Sequence, residues 1–161
     1  MPRQKKQKGF SLIELLIVVA IILIIASIAI PNLLSARRQT NETAAAKAIN
    51  TINTAQISYN SAYPTVGFAS TLTALGGTNC MPPSSASACL IDTQLASGTK
   101  NGYTFTMAGV TGNPAATYQI IASPTVPNQT GVRYFCSFPD GVIRASTAPI
   151  ASCDYTIPPL Q

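Results

Sequence analysis

Chemistry has few places to reside in this chain. Its 161 residues include five acidic side chains (Glu14, Glu42, Asp92, Asp140 and Asp154), four cysteines and no histidine. Without histidine there is no His-dependent triad, no His-containing metal site and no histidine pH switch. No nucleophile stands with a base and an orienting group, so the chain reads as a non-enzyme that needs no cofactor. Asp140 precedes Gly141, which is hairpin-turn chemistry. Asp92 and Asp154 stand singly in loop-like stretches. A calcium ion held by Asp140 or Asp154 would want about 6–8 oxygens, more than so thin a supply offers, and no metal is expected.

The cysteines are Cys80, Cys89, Cys136 and Cys153, which allow three connectivities. Their spacing is not that of the short paired clips of a zinc site. If this part of the chain is exported, disulfides are favoured, and local pairing is the expectation: Cys80 with Cys89, and Cys136 with Cys153. In the chain-entropy model the longer loop contributes about 3 kcal/mol.

The remaining acid of note is Glu14. It sits in a run from Phe10 to Ile30 whose only other polar residues are Ser11 and Ser27. A membrane-spanning helix needs about 20 apolar residues, and a secretory h-region has only about 7–15, so the run reads as a span. A carboxylate at the centre of a bilayer costs about 2.5–3.5 kcal/mol. Near one end the cost is smaller, yet the residue still calls for a positive partner. A free amino terminus would serve when several such helices pack together.

Charge supports the same reading. Only 9% of residues are charged, against about 25% in an ordinary soluble domain. The net charge is +5, but Arg3, Lys5, Lys6 and Lys8 precede Gly9, and without them six basic groups face five acidic ones. The basic cluster is therefore an address. It places its end of the span in the cytoplasm, and the near-neutral remainder gives no reason to infer a nucleic-acid partner.

Gly9-Phe10-Ser11-Leu12-Ile13-Glu14, after a basic leader and before an unbroken apolar run closed by Pro31, resembles the class III signal of type IV pilins and their relatives. The resemblance covers about the first sixty residues. It implies cleavage after Gly9 by a prepilin peptidase, N-methylation of the new terminus at Phe10, and pairing of Glu14 with the Phe10 amine of a neighbouring subunit to set register. It implies an inner-membrane precursor, an assembly platform with ATPase-driven machinery, and a homopolymer at the cell surface.

Elements must position these residues. Pro31 cannot donate to the carbonyl of Ser27, so it either kinks one long helix or opens a second. Ala45, Ala48, Ile49, Ile52, Ala55 and Tyr59 recur at steps of three and four, the stripe of an amphipathic helix. Arg37, Arg38, Glu42 and Lys47 mostly fall on its other faces. Pro64 ends it. Residues 66–99 read as loop, with Leu72 and Leu75 marking one short helical turn. Four strands follow: Tyr103–Met107, Thr117–Ala122, Val132–Phe138 and, after a Pro139-Asp140-Gly141 hairpin turn, Val142–Arg144.

The expected fold class is thus α+β. A long N-terminal hydrophobic helix packs its C-terminal half on a roughly four-stranded antiparallel sheet, which is also the pilin fold. The expected parts are a removed leader (1–9), a membrane and filament-core helix (10–31), an amphipathic head helix (32–60) and a loop-rich sheet region (61–161). A type IV pilus subunit is the leading functional reading. A pseudopilin of a type II secretion system, forming a periplasmic filament, or a minor pilin is the alternative. A single-span periplasmic domain that never polymerises would leave Gly9 uncleaved and Glu14 without a purpose.

Overall fold

The computed structural model describes residues 9–77 and 81–160. The chain divides into two units, Met1–Ala36 and Arg37–Gln161. Helix α1 (Leu12–Ala62) begins in the first and ends in the second.

In the first unit, every Leu, Ile and Val from Leu12 to Leu34 is exposed. The helix is long and apolar enough to cross a membrane. Isoleucine and valine are indifferent helix formers in water, but in a bilayer every backbone group must be satisfied within the segment, which selects the helix. Ser27 obeys the same demand, its hydroxyl donating to the Ile24 carbonyl at 2.7 Å. The helix continues through Pro31, so no second helix opens there.

The second unit joins the rest of α1 to a five-stranded antiparallel sheet of order β1-β2-β3-β4-β5. The strands are β1 (Thr99–Lys100), β2 (Tyr103–Gly112), β3 (Ala115–Pro124), β4 (Tyr134–Ser137) and β5 (Arg144–Ser146). Two one-turn helices, α2 (Leu72–Leu75) and α3 (Thr93–Ala96), lie between α1 and the sheet in sequence.

The core follows the two periodicities. From α1 come Ala45, Ala48, Ile49, Ile52, Ala55 and Tyr59; from the sheet come Tyr103, Phe105, Tyr118, Ile120, Ala122 and Phe135. Because successive strand residues point to opposite faces, Ile121 and its register partner Cys136 fall on the other side of the sheet. There they form a second cluster with Cys153, packed by Phe138, Ile150 and Ile157. The C-terminal segment thus covers the sheet face opposite α1.

The α+β architecture stands as read, with five strands in place of four. The added strand, β1, has two residues, too few to carry a pattern. Strands β2 and β3 run longer than their apolar alternation suggests. They extend to a turn at Asn113-Pro114, with register shifts between Ala108 and Gly112 where Gly109 and Gly112 take positive φ. The turn expected at Pro139-Asp140-Gly141 forms, Gly141 N donating to the Phe138 carbonyl at 2.9 Å, and β4 and β5 pair antiparallel across it, but β5 starts only at Arg144 and not at Val142. Asp140 also accepts from Val142 N at 3.0 Å and receives the Arg144 guanidinium at 2.7 and 3.3 Å, which occupies residues 142–143 before the strand begins. Helix α3 was hidden in the stretch read as loop. Its start is set by Asp92, whose carboxylate accepts from Leu95 N at 3.1 Å, a regular N-cap.

Candidate assembly site

The residues expected to serve processing and register, Gly9, Phe10 and Glu14, lie at the start of α1. Gly9, Phe10 and Ser11 precede the helix, and all three are exposed. A side chain at Gly9 would meet nothing within 4 Å among the described residues. The Ser11 carbonyl accepts the first helical bond, from Leu15 N at 3.2 Å. Glu14 falls in the first turn of α1, where the unpaired N–H groups and the helix dipole favour a negative charge. Phe10 is 77% exposed. Among the described residues no basic side chain lies within ion-pair distance of Glu14. An apolar surface with one carboxylate near its end is what this unit offers to whatever surrounds it.

The cysteines divide. Cys136 and Cys153 are joined by a disulfide with Cα atoms 5.8 Å apart. It ties the C-terminal segment to β4, and Cys153 N adds a hydrogen bond to the Gln119 side chain at 3.0 Å. Cys89 is disulfide-bonded, but Cys80 and its expected pairing with Cys89 lie outside the described residues.

The second unit departs most from the sequence reading at Glu42. Expected on an outer face, it is 6% exposed. The outer reading failed because Glu42 borders the stripe, and its partners lie some ninety residues away. Its carboxylate accepts from Val132 N at 2.8 Å, Arg133 N at 3.2 Å and Arg133 Nε at 2.7 Å. Burial pushes the carboxyl up. The Val132 amide, then the Arg133 guanidinium and amide, outweigh that, and the net pKa lies below the usual carboxylate value. Beside it, Asn41 Nδ2 donates to the Thr130 carbonyl at 2.9 Å, so two consecutive residues of α1 hold the β3–β4 connection. The Tyr103 hydroxyl donates to the Arg133 carbonyl at 2.8 Å. A Cβ at Gly131 would run into that hydroxyl, so the close approach requires glycine.

Two amides inside the core make equally specific bonds. Asn53 donates to Ser137 Oγ at 2.9 Å and accepts from the Tyr118 hydroxyl at 3.1 Å. Gln56 pairs with the backbone of Ala69 in both directions, at 3.0 and 2.8 Å, as a neighbouring strand would. Burial, with the Asp140 charge adding to it, pushes the Tyr118 phenol up to about 12. These polar residues sit at stripe positions where the apolar periodicity alone gave no signal.

The remaining acids are engaged locally. Asp140 pairs with Arg144, whose guanidinium stacks on the rings of Phe138 (4.3 Å to the centroid) and Tyr155 (5.1 Å). Asp92 pairs with Lys100 at 2.7 Å. Asp154 accepts from Thr156 N at 2.9 Å. Among the described residues no three His, Cys, Asp or Glu side chains converge as metal ligands.

Comparison with known proteins falls on the same segment. Residues 4–30 match the family model described as the prokaryotic N-terminal methylation motif. The chain is 54% identical over 46 residues to the type IV wide pilus major component PilA4 of Thermus thermophilus, an alignment that takes in 29% of this chain and 35% of that relative. No solved structure matches. The chain carries the N-terminal methylation motif of type IV pilin-like proteins, on a long helix followed by an antiparallel sheet.

Proposed function

We propose that the chain is a structural subunit of a type IV pilus. It enters the inner membrane as a prepilin, is cleaved after Gly9 by a prepilin peptidase and is N-methylated at Phe10. An assembly platform with ATPase-driven machinery then polymerises it into a surface filament. The observation that carries the reading is the exposed apolar surface of residues 12–34 with Glu14 in its first turn. Such a surface needs lipid first and other copies of itself later. Helix association in lipid gains little from the hydrophobic effect, so extraction must be offset by packing with many neighbours and by motor work.

In this reading Glu14 receives the Phe10 amine of an adjoining subunit. A carboxylate left unpaired among apolar helices is costly, so correct stagger is selected by the charge that would otherwise be stranded. Pro31 removes one helical hydrogen bond and gives α1 a point of bending during insertion and assembly. Residues 10–31 form the filament core, 32–60 the head helix and 61–161 the remainder of the head, with a second disulfide between Cys80 and Cys89.

Glu14→Ala tests the register role. Membrane insertion and cleavage after Gly9 should persist, while the yield of sheared filament should fall at least tenfold. Normal filament yield from that variant would remove Glu14 from assembly.

A further inference from the structure

Asn41 and Glu42 fix the β3–β4 connection, residues 125–133, through Thr130, Val132 and Arg133. Pro127 and Gly131 bridge across it, and Val126 and Val132, which flank that bridge, are 42% and 38% exposed. Arg133 is held at its Nε by Glu42 at 2.7 Å and lies over the Phe135 ring, 5.5 Å from the centroid. Its side chain is nevertheless 43% exposed, and no described residue takes a hydrogen bond from its Nη1 or Nη2. A guanidinium oriented in this way presents a planar fork of donors that matches a phosphate. Arg37 is exposed one turn before Asn41, on the same side of α1.

Charge and chain distance say what this connection meets. Glu42 is spent on Arg133 and two backbone amides. Asp92 and Asp140 are paired with Lys100 and Arg144, and Asp154 binds its own turn. With these head acids engaged, the complement of Arg37 and Arg133 must come from another kind of molecule. The apolar run of α1 reaches Leu34, seven residues before Asn41. Seven residues of helix rise about 10 Å, and a headgroup layer is about 5–7 Å deep. A bilayer around residues 12–34 therefore brings its phosphates within reach of Arg37 and of the connection that Asn41 holds.

We propose that the β3–β4 connection is a contact with the membrane surface: Arg133 and Arg37 bind phosphates of anionic phospholipid, and Val126 and Val132 settle into the interface beside them. The inference rests on the pilus reading above for its membrane-held precursor, and the contact is given up when the subunit leaves lipid.

The test uses the full chain in nanodiscs of phosphatidylcholine, with and without phosphatidylglycerol. A photoreactive benzophenone amino acid replaces Val126 in one sample and Val142, 40% exposed on the β4–β5 connection, in another. Illumination should yield lipid adducts at position 126, more of them with phosphatidylglycerol, and few at position 142. Arg37→Gln should cut the gain from phosphatidylglycerol about fivefold, the usual effect of one basic residue near an anionic surface. In the chain without the photoreactive group, amide exchange over residues 125–133 should slow when phosphatidylglycerol is added, a readout that does not depend on the labelled chain folding. Inserted chains with unchanged exchange and no adduct at 126, or with as many adducts at 142, would overturn the contact and leave the membrane-held precursor in place. Adducts equal in the two lipids, or unmoved by Arg37→Gln, would overturn the phosphate recognition. A wild-type chain that does not enter the nanodiscs would overturn the membrane-held precursor and this inference with it.

Discussion

At the scale of single residues, Glu42 does the most unexpected job. Its three acceptor bonds hold the β3–β4 connection against α1. Removing the carboxylate leaves two backbone N–H groups without their acceptor, which costs about 1–3 kcal/mol each if they stay dry. Glu42→Ala should lower head stability by a few kcal/mol in denaturant unfolding of the detergent-solubilised chain; a loss under about 0.5 kcal/mol would mean the loop is held by other contacts. The pH dependence has a definite sign. The folded pKa of Glu42 is depressed, so its contribution is present above the ordinary Glu value of about 4.3 and is lost as pH falls through the folded value. The wild-type chain should therefore lose stability on acidification below about pH 4. Glu42→Gln should show a shallower loss there. The residual slope comes from Asp92, lowered chiefly by the Lys100 hydrogen bond, and from Asp154, lowered chiefly by the Thr156 hydroxyl. At the alkaline end Tyr118 has the opposite sense: its neutral form is favoured, and its contribution fades as pH rises from about 10 toward the folded value of about 12. An acid limb equally steep in Glu42→Gln would contradict the assignment.

At the scale of elements, α1 shows what a sequence can and cannot reveal. Its core stripe, Ala45 through Tyr59, was legible because helical periodicity is a local property and burial follows it. Ile52, fully buried between α1 and the sheet, should cost about 2–5 kcal/mol when cut to alanine, measured by the same unfolding; a cost under about 1 kcal/mol would mean the helix–sheet contact is not the main core. Glu42, Asn53 and Gln56 were not legible. Their partners Arg133, Ser137 and Ala69 come from elsewhere in the chain, and no local rule pairs an amide with a particular carbonyl. In the sheet, Tyr103, Phe105, Tyr118 and Ile120 announced β2 and β3 by alternation. Strand β1 has two residues, and β5 starts late because Asp140, beyond its turn, also binds Val142 N and the Arg144 guanidinium. Of the candidate site, Glu14 stood out because a charge inside an apolar run needs no tertiary context, whereas Gly9 and Phe10 were picked out only through the motif's resemblance.

At the scale of the whole molecule, two kinds of stabilisation serve two ends of the chain. The C-terminal segment is tied by Cys136–Cys153 to the sheet face opposite α1. A double Cys136→Ser, Cys153→Ser variant should lose about 3 kcal/mol of head stability, read as a lower denaturant midpoint with exchange of backbone amides in residues 147–160. Unchanged stability would mean that Ile150 and Ile157 hold the segment without the bond. Among the described residues, the N-terminal unit has no such cross-link. Its apolar residues from Leu12 to Leu34 are exposed, and the proposed function gives it stable surroundings first in lipid and then among other subunits. In the proposed function, processing converts one use into the other. The decisive measurement is the intact mass of the chain in filaments sheared from producing cells. The account requires a mass that begins at Phe10 and carries one added methyl group. A mass that begins at Met1, recovered only from membranes, would contradict the assembly function and leave a simple membrane-anchored domain.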